Sequence, residues 1–207
     1  MGIDWIGKSR SASLNVQHFI EGRFQPGRST EIQKYSPRDG KLLCRFNSAN
    51  SAEIDTAVAS ARRAFRDGRW SRKPVQQRRE VLHRLAALIE SHHEELALLE
   101  CLDVGKPISD ALNFDVPTAA ALVRFNADAA DKCFGKVYGV DAANLSYELK
   151  RPVGVVAAIV GWNFPLVLAA QKIAPVLATG NSIVLKPSEL TSFSASRVAA
   201  LDRKSVV

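Results

Sequence analysis

The chain has 207 residues, of which 46% are hydrophobic and 24% are charged. This composition is typical of a globular protein with a sizeable core, and it excludes a disordered or fibrous chain. The formal net charge is +7, but Lys and Arg are scattered among acidic residues without a helix-turn-helix, zinc-finger or aromatic-basic strand pattern, so we expect no nucleic-acid partner.

Apolar runs in the chain are short. The longest, such as 153–160 and 166–170, fall far below the roughly 20 residues of a membrane-spanning helix. The N-terminal residues lack the apolar core of a signal peptide. We therefore expect a cytoplasmic protein with no membrane partner.

Cysteine and histidine positions give little sign of a metal centre. Cys44, Cys101 and Cys133 are widely spaced and form no C-x-x-C pair, which favours reduced thiols acting as small buried hydrophobes over a disulfide, a zinc site or a nucleophile. The histidines do not cluster with acidic or cysteine partners at metal spacing. We predict no metal site and place four histidines at the surface: His18, His83, His92 and His93.

The first part of the chain reads as a loose arm over 1–17, followed by strands and helices over 18–136. Strand-like runs are separated by turn residues at Glu21-Gly22 and Asp39-Gly40. Helical periodicity then begins at Ser51, a predicted N-cap. Two consecutive helices are expected between Pro74 and Pro107, and a third over 108–134 should be kinked or broken at Pro117.

A change of pattern follows at residue 137. Residues 137–151 are polar and extended, which suits a hairpin or a connecting strand. The run "VGVVAAIVG" has almost no alternation and is typical of a parallel strand buried on both faces. A helix over 164–178 and the strand "SIVLK" complete a βαβ unit, and a helix from Thr191 to Leu201 begins the next crossover, all within 152–201. The predicted fold class is α/β, an unfinished doubly wound parallel sheet.

Polar residues follow both strands of this unit. Ligands of open α/β sheets bind outside the carboxyl ends of the strands, where Lys186 and Glu189 would lie. Lys186 can bond a ribose hydroxyl or a phosphate, and Glu189 can accept from two ribose hydroxyls. The alternative is a solvated ion pair that caps the next helix. The free N–H groups at the start of the helix near Asn163 also suit a pyrophosphate, although no G-x-G-x-x-G is present.

Asn163 allows two interpretations. It precedes a helix N-terminus, where Asn is a common N-cap. Alternatively, its side-chain amide donates to a developing oxyanion, an interaction worth about 3 kcal/mol. The residue pattern alone does not choose between them.

The ordered motifs resemble the NAD(P)-dependent aldehyde dehydrogenase family. They include "PVGVV", "WNFP", "KIAPVLATGN" and "VLKPSE", and upstream segments such as "FIEGRF" and "LDVGKP" keep the family's order, so the resemblance covers about 18–201. It implies the coenzyme-binding part of that fold, a partial Rossmann-like sheet, with 137–151 as an extended connecting or oligomerisation hairpin. Some segments are most similar to bacterial γ-glutamyl-γ-aminobutyraldehyde and related aminoaldehyde enzymes.

The resemblance also implies roles for individual residues. Asn163 becomes the oxyanion-hole amide, and the cofactor-binding positions are Ile159, Val160, Gly161, Trp162, Lys186, Ser188 and Glu189. NAD is favoured over NADP, because a carboxylate at the ribose repels a 2′-phosphate. The family usually has Pro at the position of Gly161, and glycine would loosen that turn.

Parts of the family pattern do not occur in these 207 residues. The Gly-Gln-x-Cys segment with the thiolate nucleophile is absent, as is the Glu-Leu-Gly-Gly-Lys segment with the glutamate that activates water. The C-terminal oligomerisation strand of these homo-oligomeric enzymes is also missing, and 202–207 departs from the family as an aberrant tail. We therefore expect a truncated chain that is inactive alone.

Three hypotheses remain open from the sequence. The chain is a dehydrogenase that oxidises an aldehyde to a carboxylic acid, a non-catalytic nucleotide-binding remnant, or an unstable, interaction-only fragment. The third follows from parallel strands whose missing neighbours would leave edges unpaired and apolar faces uncovered.

Overall fold

The computed structural model describes residues 3–206, with side chains for residues 3–201. The helices are α1 Trp5–Ser11, α2 Ser51–Arg66, α3 Val75–Ser91, α4 His93–Val104, α5 Ile108–Asp110, α6 Val116–Ala129, α7 Pro165–Ala178 and α8 Phe193–Val206. The strands are β1 His18–Ile20, β2 Arg23–Gln25, β3 Glu31–Tyr35, β4 Leu42–Asn47, β5 Val137–Asp141, β6 Asn144–Tyr147, β7 Val155–Ile159 and β8 Ser182–Lys186. Within this described range, no helix has the length and apolar character to cross a membrane.

Two hairpins form the N-terminal strands, as the turn residues predict. β1 and β2 are antiparallel, and the turn residues Glu21 (φ 55°) and Gly22 (φ 72°) both adopt left-handed conformations. Such a turn matches the twist of the flanking strands. β3 pairs with β4 in the same antiparallel sense.

The segment before β1 differs from the predicted loose arm. It contains α1, whose first turn is capped by Asp4, with the carboxylate accepting from the Gly7 N–H at 2.9 Å. Lys8 forms an ion pair with Glu94 at the start of α4. An N-cap and an interhelical ion pair therefore order residues whose composition alone suggests a tail.

The core is built from helices. α3, α4, α6, α7 and α8 contribute the fully buried side chains, and the largest apolar ones are Leu82, Leu85, Ile89, Leu96, Val116, Val123, Leu166 and Leu201. The two helices expected before Pro107 are confirmed as α3 and α4, which meet at His92. Gly105 ends α4 at φ 79°, the left-handed conformation that glycine adopts most readily.

The third predicted helix is interrupted, but not by a simple kink at Pro117. Residues Ala111–Asp115 form a π-helical turn, in which the Val116 N–H bonds the Ala111 carbonyl. Pro117 then occupies the first turn of α6. Proline is tolerated there because the first N–H groups of a helix have no partner within the helix, so the wide turn absorbs the break.

The βαβ unit is confirmed. β7 and β8 are parallel with Val155 opposite Ser182 and Ile159 opposite Lys186, and α7 is the crossover between them. Asn181 fastens the starts of the two strands, because its side-chain oxygen accepts from the Gly154 N–H at 2.9 Å.

Burial of β7 differs from the prediction of a strand covered on both faces. Ala158 and Val160 are buried, whereas Ala157 is exposed and Ile159 is 77% exposed. Alternating burial means that only one face of the strand is covered by the described residues. A continuous apolar run therefore indicates that both faces of a strand are suited to burial. It does not show that this chain supplies residues to cover both faces.

The C-terminal end of α7 is held by two side chains from outside the helix. Trp70 donates its indole N–H to the Leu177 carbonyl at 3.0 Å, and Arg78 donates to the Ala178 carbonyl at 3.1 Å. The last carbonyls of a helix have no partner within it, and the Leu177 carbonyl also accepts from the Gly180 N–H at 3.0 Å, just beyond the helix. Further along, the backbone of α8 continues through residue 206, whereas the side chains of the predicted tail, 202–207, lie outside the described residues.

The N-cap of α2 is Asn50, one residue before the predicted Ser51. The Asn50 side chain accepts from the Glu53 N–H at 2.9 Å, and the Glu53 carboxylate accepts from the Asn50 N–H at 3.0 Å. This reciprocal pair is a capping box.

We expect Asn50→Ala to lower the free energy of unfolding by about 1 kcal/mol, since it removes the cap. Ser51→Ala serves as the matched control and should change it by less than about 0.5 kcal/mol. Urea unfolding followed by circular dichroism measures both. Equal losses in the two variants would contradict the assignment of the cap.

Candidate functional site

The carboxyl ends of β7 and β8 lie side by side. Ile159 is the register partner of Lys186, and the Val160 N–H donates to the Lys186 carbonyl at 3.2 Å. The turn after β7 carries Trp162 and Asn163, and the turn after β8 carries Glu189. The structure therefore brings both predicted turns to one edge of the parallel pair, which we call the carboxyl edge.

Asn163 does not cap α7. The N-cap residue is Phe164, with no side-chain cap hydrogen bond, and Pro165 occupies the first position. Gly161, Trp162 and Asn163 are all exposed. The capping interpretation of Asn163 is therefore wrong, and its amide lies at the surface of the carboxyl edge.

Lys186 and Glu189 form an exposed ion pair, with 3.2 Å between the ammonium and the carboxylate. The backbone N–H of Glu189 and then the ammonium of Lys186 lower the pKa of the Glu189 carboxyl group. The pair does not cap the following helix, because Asp103 of α4 accepts from the Phe193 N–H at 2.9 Å. Both groups remain available at the edge.

Two predicted cofactor-binding residues have buried side chains. Val160 is 7% exposed and packs inward from the strand. Ser188 is buried as well, and its hydroxyl oxygen accepts from the Leu190 N–H at 3.2 Å. Neither side chain is therefore exposed at the carboxyl edge.

The first turn of α7 has few N–H groups to offer an anion. Pro165 has none, and the Leu166 N–H donates at 3.1 Å to the carboxylate of Glu100, a residue of α4. The Leu168 N–H already bonds the Phe164 carbonyl at 2.8 Å. A buried carboxylate also opposes a second negative charge, so the expected pyrophosphate position at this helix loses its support.

Glu100 and Asp103 thus serve the first turns of two different helices. They lie three residues apart on α4 and on the same face as Leu96, and both are buried. Burial raises the pKa of Glu100 to about 7 and that of Asp103 to about 6. Sequence reasoning missed both residues, although acidic residues at apolar positions of a helical repeat are the signal that could have found them.

Lys34 of β3 provides the countercharge for Asp103. Its ammonium lies 2.7 Å from the carboxylate, and both side chains are almost completely buried. Lys34 also donates to the Leu190 carbonyl and lies 4.7 Å from the centre of the Phe193 ring. The N-terminal hairpin is therefore tied to the turn that follows Glu189.

Lys106 supports the other turn. It pairs with Asp115 at 2.6 Å, and its ammonium lies 4.4 Å from the centre of the Phe164 ring. The Phe114 ring contacts the same ring edge-on, with 6.1 Å between the two ring centres. A cation and an aromatic edge therefore hold the residue that follows Asn163.

The cysteines and histidines differ from their predicted settings. Cys44 and Cys101 are half-buried and Cys133 is exposed, so the three are not equally core residues. Burial raises the pKa of the Cys101 thiol to about 11 and also raises that of Cys44, which opposes thiolate formation. The histidines are half-buried and not free surface groups; His93, for example, bonds the Leu112 carbonyl at 2.6 Å. Among the described residues, no group of three His, Cys, Asp or Glu side chains could hold a metal ion.

The raised pKa values of Glu100 and Asp103 predict an unusual pH dependence of stability. Between the ordinary pKa of 4.5 and about 7, the folded state keeps the Glu100 proton that the unfolded chain has released. The folded state then binds more protons, so the free energy of unfolding falls as pH rises through this window. Asp103 adds the same sign between 3.8 and about 6.

We expect Glu100→Gln to be more stable than the parent at pH 8, by up to about 3 kcal/mol, and equal to it near pH 4. Urea unfolding at several pH values measures the difference. Glu95→Gln is the matched control on α4, because Glu95 is exposed and pairs with Arg197. A Glu100→Gln variant with the same slope as the parent would contradict the assignment.

Two glycines at the ends of β7 are expected to respond oppositely to alanine. A Cβ at Gly161 would meet the Asn163 side-chain oxygen at 3.5 Å and the Leu168 side chain at 3.6 Å, both ordinary contacts. Gly154 has φ +124°, a conformation that alanine rarely adopts. Gly161→Ala should therefore raise the free energy of unfolding by about 0.4–1 kcal/mol, and Gly154→Ala should lower it by more than that. Thermal and urea unfolding test the pair, and a destabilised Gly161→Ala would refute the view that this turn has room for a side chain.

Comparison with known proteins agrees with the motifs. A model of the aldehyde dehydrogenase family matches residues 24–206. The NADP/NAD-dependent aldehyde dehydrogenase PuuC of Escherichia coli (strain K12) is 42% identical over 201 residues, which is 97% of this chain and 41% of that protein. The chain therefore spans about two-fifths of the length of the curated relatives it matches.

Solved structures share the fold. An indole-3-acetaldehyde dehydrogenase in complex with NAD+ matches with a TM-score of 0.95 and 42% identity, over 98% of this chain and 41% of that one. The γ-glutamyl-γ-aminobutyraldehyde dehydrogenase of Burkholderia cenocepacia J2315 matches with a TM-score of 0.94 and 43% identity, over the same shares. The motif resemblance is thus confirmed, and the chain belongs to the aldehyde dehydrogenase family.

Proposed function

We propose that this chain supplies the NAD-binding edge and the oxyanion amide for the oxidation of an aldehyde to a carboxylic acid. The observation that carries the proposal is the pairing of Ile159 with Lys186, which sets the turn bearing Asn163 beside the turn bearing Glu189. A relative named as NADP/NAD-dependent, and a matching structure that contains NAD+, support the cofactor class.

The donor set at the carboxyl edge fits the ribose end of a dinucleotide. Glu189 is ionised and exposed, so its oxygens can accept from two ribose hydroxyls, and Lys186 can donate to a third oxygen. Ile159 and Trp162 add exposed apolar surface beside them. A carboxylate at this position disfavours a 2′-phosphate, so we propose NAD over NADP.

NAD supplies the hydride acceptor when it is bound. The contribution of Asn163 would be to donate its side-chain N–H to the substrate oxygen as negative charge develops there. None of the three cysteines lies in either turn of the carboxyl edge. Since burial also opposes ionisation of Cys44 and Cys101, we propose that this chain by itself supplies no nucleophile for the reaction.

The exposed hairpin of β5 and β6 supports a role in assembly. Every residue of the two strands is exposed, and Val137 and Leu145 are each 75% exposed. Apolar side chains on a solvent-facing hairpin favour a partner surface. We propose a second copy of the chain as that partner.

Titration of the chain with NAD+ should quench the fluorescence of the exposed Trp162 in a saturable manner. Glu189→Gln should weaken NAD+ binding by about tenfold, because it removes charge-assisted hydrogen bonds, and should narrow the difference between NAD+ and NADP+. Lys172→Ala, at an exposed lysine of α7, is the matched control and should bind as the parent does.

Two outcomes would count against the proposal. The first is the lack of any saturable fluorescence change below millimolar NAD+. The second is equal binding by the parent and the Glu189→Gln variant, which would move the ribose site away from this turn.

A further inference from the structure

Glu100 is a buried carboxylate that one helix presents to another. It lies on α4 and is completely inaccessible, and one of its oxygens accepts from the Leu166 N–H of α7 at 3.1 Å. Its second oxygen has no hydrogen-bond partner among the described residues. Burying a carboxylate costs free energy, and an apolar side chain would fill the same space without that cost. The hydrogen bond that Glu100 makes to α7 therefore needs an explanation of its own.

The first turn of α7 depends on this contact. The helix has no side-chain cap of its own, and Pro165 at its first position has no N–H. Leu166 therefore carries the first N–H of the helix, and Glu100 is its acceptor. The orientation of this turn sets the direction in which the preceding residues, Trp162 and Asn163, leave the helix.

We propose that Glu100 is a positioning residue that holds the first turn of α7 so that Asn163 faces the carboxyl edge. This inference rests on the proposed function for its consequence, NAD+ binding, but its structural part can be tested without a cofactor. Asp103 offers an internal comparison, because it bonds the first turn of α8 in the same way.

Several charged and polar groups surround the Glu100 carboxyl group. Asp103 lies on the same helix, Lys106 and Asp115 lie on the segment that follows it, and Ser194 approaches from α8. Lys106 also contacts Phe164 next to Asn163. The polar groups beneath the Asn163 turn thus form one connected set, in which Glu100 makes the hydrogen bond to α7.

The test compares the local protection of two backbone amides. Glu100→Leu removes the acceptor, Glu100→Gln keeps an oxygen acceptor without charge, and Asp103→Leu, which removes the acceptor of the Phe193 N–H, is the reciprocal control. Hydrogen exchange of the Leu166 and Phe193 amides is followed by ¹H–¹⁵N NMR, and NAD+ affinity by the fluorescence of Trp162. The ratio of the two exchange rates cancels any global loss of stability.

We expect Glu100→Leu to speed Leu166 exchange about tenfold relative to Phe193 and to weaken NAD+ binding by a similar factor, in line with the loss of one hydrogen bond. Glu100→Gln should restore both to within about threefold. Asp103→Leu should change the ratio in the opposite direction. If Glu100→Leu does not fold, Glu100→Asp takes its place, because the shorter side chain keeps the charge but withdraws the acceptor.

The outcomes separate the two proposals. An unchanged exchange ratio in both Glu100→Leu and Glu100→Asp overturns the positioning role, and so does a Glu100→Gln variant that behaves like Glu100→Leu. If the exchange ratio changes as expected but the parent binds no NAD+, the positioning of the turn stands and the proposed function fails.

Discussion

The position of α7 determines where the carboxyl ends of β7 and β8 meet. Pro165 deprives the helix of one N–H at its start, and no side chain of the helix itself caps it, so its first turn relies on a residue of another helix. Glu100 bonds the first turn, while Trp70 and Arg78 bond the last carbonyls. Because α7 connects the two parallel strands, fixing its ends fixes the edge where their carboxyl termini meet.

This arrangement lowers the stability of the folded state but fixes the positions of the helices more narrowly. A buried carboxylate whose pKa is raised to about 7 opposes folding at neutral pH, and an apolar residue of similar volume would avoid that cost. A carboxylate has a reach and a direction that an apolar side chain lacks. Glu100 and Asp103 therefore set the positions of two helices from a single face of α4.

Much of the fold could be predicted from local pattern, and the site only in part. The apolar run before Gly161 and the strand ending at Lys186 predict a parallel pair because buried parallel strands have near-continuous apolar sequences, and the chain between them is long enough for a crossover helix. The pattern does not predict which partner a buried charge will meet. Nothing in the local sequence "LLECLDV" indicates that the Glu100 carboxylate accepts a hydrogen bond from a residue 66 positions away.

Similar reasons explain the other differences between sequence and structure. The cap of α2 moved from Ser51 to Asn50 because both residue types favour that position, and only the reciprocal bond with Glu53 decides between them. Ile159 is exposed because the described residues leave that face of β7 uncovered. The sequence of the strand itself does not determine whether a face is covered. The family motifs identified the residues of the carboxyl edge. The buried charged residues that support its turns were identified only from the structure.

The buried Lys34 also affects the register in which β3 and β4 pair. It is the one buried position of β3, flanked by the exposed residues Gln33 and Tyr35. A slip of one residue between β3 and β4 would turn Lys34 toward water and leave Asp103 buried without its countercharge. The buried Lys34–Asp103 pair therefore favours the observed strand register, because a slipped register would separate the two charges.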